Sequence, residues 1–461
     1  MTHVLLLDVG GSTVKATAHG PGVHAEAVAC YPSVTTGDRV EVDPEELWAA
    51  VLRAGRDAVA AADGDCAGIT VCTLRQGFAL LDADGAEVGP LRPNTDRSGA
   101  SCMDVHSGRY GLTGHWPAPE LTLPKLLVLR DAWPGVGTLL FWHDWLLHRL
   151  GASPVSGVDY VCGGGMADVA ARSWATDWLA DLGLPATWLP PVVEAGTRVG
   201  SLAAQAAAAL GLPTGTPLHS GPGDTQLAAA GCGGLAAGTV TVVAGSSTPV
   251  QLAADHPATG DPERHPWVST HARPGRWALE GNAGYPGAMR AAALRLVGAV
   301  PHEDVDAVAP GAGGLLALVA APYWSEQVWA RRAPHALVGW HPATTPAQLV
   351  AAVEEAHGYA VRGNVEDLER VMGSPLDVLV AGPPRVAQRI ADVLGRPVRT
   401  AAGQDATGAA AWSLVTGEPL PGPGPAVTPS RGGYEEPYQR WRAASLAMSG
   451  LAVEPGPRES P

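Results

Sequence analysis

Positive charge is scarce in this chain of 461 residues, and lysine is almost missing. Lys15 and Lys125 are the only two lysines, and the excess of acidic over basic residues gives a formal net charge of −15. This balance argues against nucleic acid and anionic membranes as partners, because both carry negative charge. It does not exclude an anionic substrate, since a local basic patch can overcome the overall sign.

Cysteine pairs and long apolar runs are missing as well. The six cysteines include no Cys-x-x-Cys pair, so we expect scattered buried thiols in a reducing cytosol. No apolar run reaches the roughly 18 residues that a membrane-spanning helix requires, and no signal-peptide pattern precedes Asp8. These absences predict a soluble, cytoplasmic protein.

What is present is a long alternation of strand-like and helix-like segments, which favours an α/β fold. A chain of 461 residues is too long for one ordinary core, so we expect two domains. One helix is predicted to follow Asp43, an expected N-cap, and later ones to cover QLVAAVEEAHGYAVRGNVEDLERVM and PRVAQRIADVLG. A Pro/Gly-rich linker, EPLPGPGPAVTPSRGG, leads to a last helix and a frayed acidic tail.

The most informative stretch lies near the start, where LLLDVGGSTVKATA indicates a strand, a tight turn and a second strand. The stretch is either a plain edge hairpin or a cradle for phosphate. Asp8 would be a costly lone carboxylate at the end of a buried strand. Lys15 stands out in a chain whose other basic residues are nearly all arginines. Both details favour the cradle.

A second hairpin repeats this pattern in the other half of the chain. The stretch AGSSTPVQLA, from Ala244, aligns with VGGSTVKATA, from Val9, so that a Gly, a Ser and a Thr fall in register. Glycine lets a backbone approach a phosphate, successive N–H groups form an anion nest, and hydroxyl groups add donors. The repeat indicates a duplicated domain whose two loops grip a triphosphate at both ends. The alternative is coincidence in a chain rich in glycine and alanine.

Two carboxylates are candidates for the remaining parts of a phosphoryl-transfer site, which needs a metal and a base. Asp8, beside the first cradle, is placed to hold Mg²⁺ through water, because Mg²⁺ keeps most of its hydration shell. Asp224, in SGPGDTQ, follows an apolar strand and begins a helix of small residues. Its carboxylate would therefore point into a cleft and act as the base for an acceptor hydroxyl. The alternative for Asp224 is an ordinary helix N-cap.

Together these motifs resemble the FGGY carbohydrate kinases of the actin-like ATPase superfamily. The resemblance covers nearly the whole chain and rests on DxGGSTxK, GxGDxxxxxxGxG, GSS, AGPP…RIADVLGRPV and GAA, in that order. It implies an α/β fold of two ribonuclease-H-like domains with ATP and sugar in the interdomain cleft. Residues 1–236 would bind the sugar and supply the base, residues 237–450 would bind the nucleotide, and residues 451–461 would form a tail.

The resemblance also assigns roles to individual residues. Asp224 would be the catalytic base, and Asp8 would serve the Mg²⁺. The residues that would face the ATP are Gly11, Ser12, Thr13, Lys15, Gly245, Ser246, Ser247, Gly287, Ala381 and Gly382.

The sugar end differs from the family's xylulose kinases. CTLRQGFALLD resembles the substrate loop, where xylulose kinases carry Met-His and this chain has Arg75 and Gln76. With Asn94 and Asp96 nearby, this variant is more similar to autoinducer-2 kinases. These four residues and Asp224 are the candidate substrate-binding residues, and the fork of an arginine favours planar pairs of oxygens. The alternative is a structural ion pair between Arg75 and Asp96.

Two further acids, Asp144 and Asp159, occupy places where the family has loop acids, and each is expected at the surface. The adenine side departs from the family too, because the loop Ala381-Gly382-Pro383-Pro384 is shorter than usual, which leaves open a nucleotide other than ATP.

The sequence therefore predicts an ATP- and Mg²⁺-dependent kinase that phosphorylates a small sugar, ketose or polyol, preferably at a primary hydroxyl. The alternatives are a kinase for an unusual sugar or cyclitol, and a non-catalytic sugar-binding regulator with an eroded adenine pocket. A homodimer is an open option, since dimers are frequent in the family.

Overall fold

A computed structural model describes residues 1–259, 266–318, 335–401, 405–420 and 422–449. Each half of the chain builds one large mixed sheet, and helices pack against both. The hairpin predicted near the start and its repeat near Ala244 are both confirmed. The acidic tail predicted at 451–461 lies outside the described residues.

The first half of the chain builds a six-stranded sheet and several short strand pairs. Its strands are β1 (Thr2–Val9), β2 (Thr13–Gly20), β3 (Val23–Cys30), β4 (Val34–Thr36), β5 (Arg39–Glu41), β6 (Asp65–Thr73), β7 (Phe78–Asp82), β8 (Val136–Phe141), β9 (Ser156–Gly157), β10 (Ala167–Asp168), β11 (Ser173–Trp174), β12 (Val192–Val193), β13 (Arg198–Ser201) and β14 (Pro217–Ser220). The order across the sheet is β13-β14-β6-β1-β2-β3. Strands β1, β6 and β14 run parallel to one another. Strand β2 runs antiparallel to β1, β13 runs antiparallel to β14, and β3 runs antiparallel to β2 and so in the direction of β1.

The second half builds a seven-stranded sheet. Its strands, with one further pair, are β15 (Thr239–Val243), β16 (Pro249–Ala254), β17 (Trp267–Thr270), β18 (Trp277–Asn282), β19 (Leu316–Leu318), β20 (Ala336–Val338), β21 (Asp377–Ala381), β22 (Val398–Thr400) and β23 (Ala426–Val427). The order is β17-β18-β16-β15-β21-β22-β23. Apart from the extra β17, it repeats the first sheet strand for strand and direction for direction, with β15 in the place of β1.

Helices connect and cover these strands. They are α1 (Pro44–Ala61), α2 (Tyr110–Thr113), α3 (Thr122–Val128), α4 (Trp142–Leu150), α5 (Val158–Gly163), α6 (Thr176–Asp181), α7 (Ala204–Leu210), α8 (Asp224–Gly231), α9 (Pro286–Val297), α10 (His302–Ala307), α11 (Pro346–Met372), α12 (Pro384–Leu394), α13 (Ala406–Thr416) and α14 (Glu435–Ser449). Short 3₁₀ turns lie at Ser98–His106, Arg130–Ala132, Ala186–Trp188 and Ala312–Gly314. The Asp43 cap is confirmed, because its carboxylate accepts the N–H groups of Glu45 and Glu46 at 2.8 and 3.2 Å.

One late helix, α13, packs on the first sheet rather than on the second. Its Ala410 and Ala411 are buried against Val4 and Leu6 of β1 in a small apolar core. Small side chains allow this close approach of backbone to backbone. The same holds for Gly231 of α8, where a Cβ would collide with the backbone of α13. The two halves of the chain therefore share this small apolar core.

Two expectations about the fold need correction. The predicted Pro/Gly linker contains β23, which extends the second sheet beyond β22. A two-residue edge strand tolerates flanking prolines, because its outer N–H groups need no partner. The cysteines are not all buried: Cys30 is exposed, since the alternation of β3 turns it to solvent, whereas Cys72, Cys162 and Cys232 are enclosed.

Candidate active site

Three predicted functional residues meet at one edge of the first sheet. Asp8 lies near the end of β1, Arg75 follows the end of β6, and Asp224 follows the end of β14. These three strands are parallel, so their carboxyl ends share an edge, which is where open α/β sheets bind ligands. The chain topology thus brings together residues that are far apart in sequence.

The carboxylates of Asp8 and Asp224 repel each other across this edge. Burial and then the charge of Asp224 raise the pKa of Asp8 to about 6, while the ammonium of Lys15 lowers it. Lys15 lies directly opposite Asp8 in the β1–β2 pair. A cation would relieve the repulsion, and carboxylate oxygens are the ligands that Mg²⁺ prefers. The donor set therefore fits the Mg²⁺ that the sequence predicts.

Asp224 occupies the first position of α8, and the cap of that helix is Gly223. The alternative of an aspartate N-cap is therefore wrong. One oxygen of Asp224 accepts the N–H and the hydroxyl of Thr225 at 2.7 and 3.0 Å. The side chain is only partly buried, so it remains accessible from the cleft.

The loop that leads into Asp224 is held by three buried side chains, one at each residue. The Gly221 N–H donates to Nε2 of His143 at 3.1 Å, and the Gly223 N–H donates to Oδ2 of Asp159 at 2.7 Å. Between them, the carbonyl of Pro222 accepts the hydroxyl of Tyr160 at 2.8 Å. The position of the candidate base is thus fixed by its own backbone.

Nε2 of His143 can accept a hydrogen bond only when the imidazole is the neutral tautomer that carries its hydrogen on Nδ1. That hydrogen points to Oδ1 of Asp144, 2.7 Å away. Asp144 also accepts the N–H groups of Phe141 and Gly157 at 3.1 and 3.0 Å. Two buried hydrogen bonds, from His143 to Asp144 and from Gly221 to His143, therefore hold the loop that precedes Asp224 in place.

The expectation that Asp144 and Asp159 lie at the surface is wrong, since they are 1% and 3% exposed. In the interior, Asp144 is stabilised by two backbone N–H groups, whereas one oxygen of Asp159 accepts the N–H of Gly223. Burial raises the pKa of Asp159 to about 7, although the guanidinium of Arg75 opposes this. The signal in the sequence was an acid inside an apolar helical segment, HDWLLHRL in one case.

Arg75 makes its strongest contacts with the second sheet. Its two terminal nitrogens donate to the two carboxylate oxygens of Glu280, in β18, at 2.6 and 2.5 Å. A further bond reaches Oγ of Ser269 at 3.1 Å. Both ends of the ion pair are about a tenth exposed, with values of 9% and 10%. Arg75 therefore joins the two halves of the chain across the cleft.

The alternative pairing of Arg75 with Asp96 is wrong, because Asp96 accepts the Ser98 N–H at 2.9 Å and faces Arg92 at 3.4 Å. Sequence reasoning also missed Glu280. A carboxylate in the buried strand of WALEGN is the same signal that singled out Asp8. Gln226 of α8 donates to Glu280 at 2.5 Å, so this acid is held from the same side as the base.

The other predicted sugar residues lie on loops beside Arg75. Gln76 is buried, and its side-chain amide donates to the Gly163 carbonyl at 3.1 Å. The main-chain carbonyl of Gln76 accepts a hydrogen bond from the ammonium of Lys125 at 2.9 Å. Burial lowers the pKa of Lys125 to about 7. Within the described residues, the side-chain oxygen of Asn94 is buried with no hydrogen-bond partner, so it keeps its capacity to accept from a ligand.

The first Gly-Ser turn is open to the cleft. Gly11, Ser12 and Thr13 are exposed, and a Cβ at Gly11 would meet nothing within 4 Å. The turn is closed by the Gly10 N–H, which donates to the Thr13 carbonyl at 3.0 Å. Lys15 is half-buried and lies 3.7 Å from the carboxylate of Glu26. The structure thus leaves room for an anion against this turn.

The second turn gathers the predicted nucleotide residues of the other half. The Gly245 N–H donates to the Ser247 carbonyl at 3.0 Å, so the bond that closes this turn spans one residue fewer than the bond that closes the first turn. A Cβ at Gly287 would collide with the Gly245 carbonyl, so the start of α9 packs on this turn.

The loop after β21 reaches the same place. The Ala244 N–H donates to the Ala381 carbonyl at 2.7 Å, and a Cβ at Gly382 would lie 2.8 Å from the Ala244 side chain. The structure therefore brings Gly245, Gly287, Ala381 and Gly382 together.

Comparison with known proteins decides the family. Residues 3–231 match the model described as the FGGY family of carbohydrate kinases, N-terminal domain. Over these residues the chain belongs to the FGGY carbohydrate kinases. An autoinducer-2 kinase of Enterobacter sp. (strain 638) is 26% identical to this FGGY kinase over 533 aligned positions, with 100% of both chains covered. The YoaC protein of Bacillus subtilis (strain 168) is 28% identical over 299 positions, which span 62% of the kinase and 58% of that protein.

Solved structures agree on the fold of the kinase. A ligand-bound xylulose kinase from Lactobacillus acidophilus superposes with a TM-score of 0.85 at 18% identity, covering 97% of this chain and 99% of that one. The predicted α/β fold of two domains is confirmed. The predicted enzyme class, a sugar kinase, is confirmed as well. Among the described residues, none of the helices has both the length and the apolar character needed to cross a bilayer.

Proposed function

We propose that this sugar kinase transfers the γ-phosphoryl group of ATP to a hydroxyl group, preferably a primary one, of a small neutral sugar, ketose or polyol. The observation that carries the proposal is the meeting of Asp8, Arg75 and Asp224 at the carboxyl edge of three parallel strands. A general base, a metal carboxylate and a cationic hydrogen-bond donor in one cleft are the parts that phosphoryl transfer to an alcohol requires.

Asp224 is the proposed general base. It accepts the proton of the acceptor hydroxyl as the oxygen attacks the phosphorus atom, so that charge does not build up on that oxygen. The loop held by His143, Tyr160 and Asp159 fixes its position before substrate arrives. Such preorganisation spares the enzyme the cost of ordering the base during the reaction.

Asp8 is proposed to hold Mg²⁺, which when bound would neutralise charge on the phosphate oxygens. The turns at Gly11–Thr13 and Gly245–Ser247 are proposed to bind the phosphates through backbone N–H groups and hydroxyls. The two turns belong to the two repeated sheets, so a bound triphosphate would contact both halves of the chain.

The preference for a neutral substrate follows from the charges in the sugar region. The guanidinium of Arg75 is already paired with Glu280, and Asp159 lies within its field. A substrate carboxylate would meet these acids, whereas hydroxyl groups can both donate to the acids and accept from the remaining N–H groups of Arg75. The relatives named as autoinducer-2 kinase and xylulose kinase make autoinducer-2 and ketoses the first compounds to test.

The decisive variant is Asp224→Asn, which keeps size and much of the hydrogen bonding but removes basicity. The turnover number should fall by about 10²–10⁴, the usual contribution of a general base. Sugar affinity should stay within about tenfold, because an amide still bonds a hydroxyl. The melting temperature should change little or rise, since active-site carboxylates often cost stability.

Asp177→Asn is the matched control, because Asp177 lies exposed in the first turn of α6. It should leave turnover unchanged. Turnover is measured as ADP release over a panel of ketoses, alditols and cyclitols that includes autoinducer-2 and an aldonate. Turnover of Asp224→Asn near the wild-type value would remove Asp224 as the base, and a preference for the aldonate would refute the neutral substrate.

A further inference from the structure

Three metal-ligating side chains converge at the end of the first hairpin that lies away from the candidate active site. His19 of β2 and His24 of β3 lie opposite each other in the antiparallel pair. Asp405 reaches them from the start of α13. Among the described residues, these three form the only group of histidine, cysteine and carboxylate side chains whose ligand atoms all lie within 4.8 Å of one another.

The two histidines are positioned by the pairing of β2 with β3, and Asp405 is positioned by its capping of α13. Strand register places the two histidines on the same face, where directly paired residues have neighbouring side chains. One oxygen of Asp405 accepts the N–H of Gly408 at 2.9 Å and so caps α13. Its other oxygen is left to face Nδ1 of His19 at 2.7 Å and Nδ1 of His24 at 3.0 Å.

The spacing is close to that of a tetrahedral zinc centre. Zinc binds imidazole nitrogen and carboxylate oxygen at about 2.0–2.2 Å, which places neighbouring ligand atoms about 3.3 Å apart. The separations of 2.7 and 3.0 Å between Asp405 and the two histidines require only a small outward shift, and the ligand nitrogens of the two histidines lie within 4.8 Å of each other. His24 is 53% exposed, so an ion can enter from solvent and a water can complete the fourth position.

We propose that His19, His24 and Asp405 form a zinc-binding site that ties β2 and β3 to α13. The site is separate from the proposed Mg²⁺ site. His19 lies four residues beyond Lys15 along β2, which is about 13 Å of strand. Two imidazoles also select zinc over Mg²⁺, because Mg²⁺ prefers oxygen ligands. Zinc would link an element of the first half of the chain to one of the second.

The test is calorimetric titration of the tag-free chain with zinc chloride in excess Mg²⁺. Wild-type protein should bind one zinc ion, and added zinc should raise its melting temperature, because binding to the folded state alone stabilises it. Asp405→Asn preserves the helix cap, since asparagine caps as well as aspartate, yet it removes the carboxylate ligand. His24→Ala removes a half-exposed ligand on the other element. Each variant should weaken zinc binding at least tenfold, with no loss of folding when zinc is absent.

His302→Ala, at an exposed histidine at the start of α10, is the control and should bind zinc as the wild type does. Cobalt gives a second readout that needs no variant, because tetrahedral Co²⁺ absorbs far more strongly in the visible range than the hydrated ion. The proposal is overturned if the wild-type chain binds no zinc, or if His24→Ala and Asp405→Asn bind it as tightly as the wild type.

Discussion

The ion pair between Arg75 and Glu280 offers the sharpest test of how the two halves of the chain meet. Glu280→Gln keeps the shape of the side chain and removes its charge. The pair is bidentate and nearly enclosed. Burial alone would lower the pKa of Arg75, but the charge of Glu280 outweighs this effect with help from the nearby acids and holds that pKa above its usual range. Removing one partner of a buried pair costs about 3–5 kcal/mol, because the other charge stays buried. We expect about 3 kcal/mol, since glutamine still accepts one bond and Asp159 lies nearby.

A double-mutant cycle separates this contact from other effects of each change. Arg75→Met should cost a similar amount, because it leaves Glu280 with only Gln226 and loses the bond to Ser269. The combined variant should be more stable than the sum of the single effects predicts, with a coupling of about 2–3 kcal/mol. The free energy of unfolding is measured in urea by tryptophan fluorescence.

Asp57→Asn serves as the control, since Asp57 pairs with Arg56 on the surface at 3.5 Å. It should change the free energy of unfolding by no more than about 0.5 kcal/mol. Additive single effects of Arg75→Met and Glu280→Gln, with a coupling near zero, would refute the contact. The two sheets would then meet differently in solution, and the argument for a neutral substrate would lose its basis.

Two further predictions concern the residues around this pair. Arg75→Met should raise the KM for the sugar about ten- to hundredfold, because a charged hydrogen bond is lost, and it should leave the KM for ATP unchanged. If the variant has a lower melting temperature but an unchanged KM for the sugar, the role of Arg75 is purely structural. In the folded state the pKa of Asp159 is raised from its ordinary value to about 7. Between these two pH values the folded state therefore binds more protons than the unfolded state, so the stability of the fold decreases as the pH rises through this window. Asp159→Asn cannot ionise, so from about pH 4 to pH 7 its melting temperature should fall less than that of the wild type; parallel curves would contradict the assignment.

Local pattern was enough to predict the repeated framework of the fold. Alternating apolar residues around two Gly-Ser turns predicted both hairpins, and Asp43 before Pro44 predicted the start of α1. The structure brings the acid at the end of β1 and the Gly-Asp element together at one edge of the first sheet, a juxtaposition that the separate motifs did not specify. Each of these signals lies within one short segment, where propensity and side-chain chemistry act directly.

Contacts between distant segments were beyond such reasoning. Glu280 lies 205 residues from Arg75 in sequence, and no local pattern ties one to the other. The burial of Asp159 was missed for the same reason, because its N–H partner, Gly223, comes 64 residues later. The assignment of single residues to sugar and nucleotide stays a prediction, which the variants above are designed to test.

The position of α13 bears on how this chain is synthesised and on how it can be divided. Residues 1–231 leave the ribosome with the face of β1 that carries Val4 and Leu6 only partly covered, because Ala410 and Ala411 are made much later. This face of the first sheet is therefore fully covered only after α13 has been made, and until then it offers an apolar surface for chaperones or for aggregation. A fragment that consists of residues 1–231 lacks α13 and would keep this apolar face exposed, so we do not expect it to fold independently.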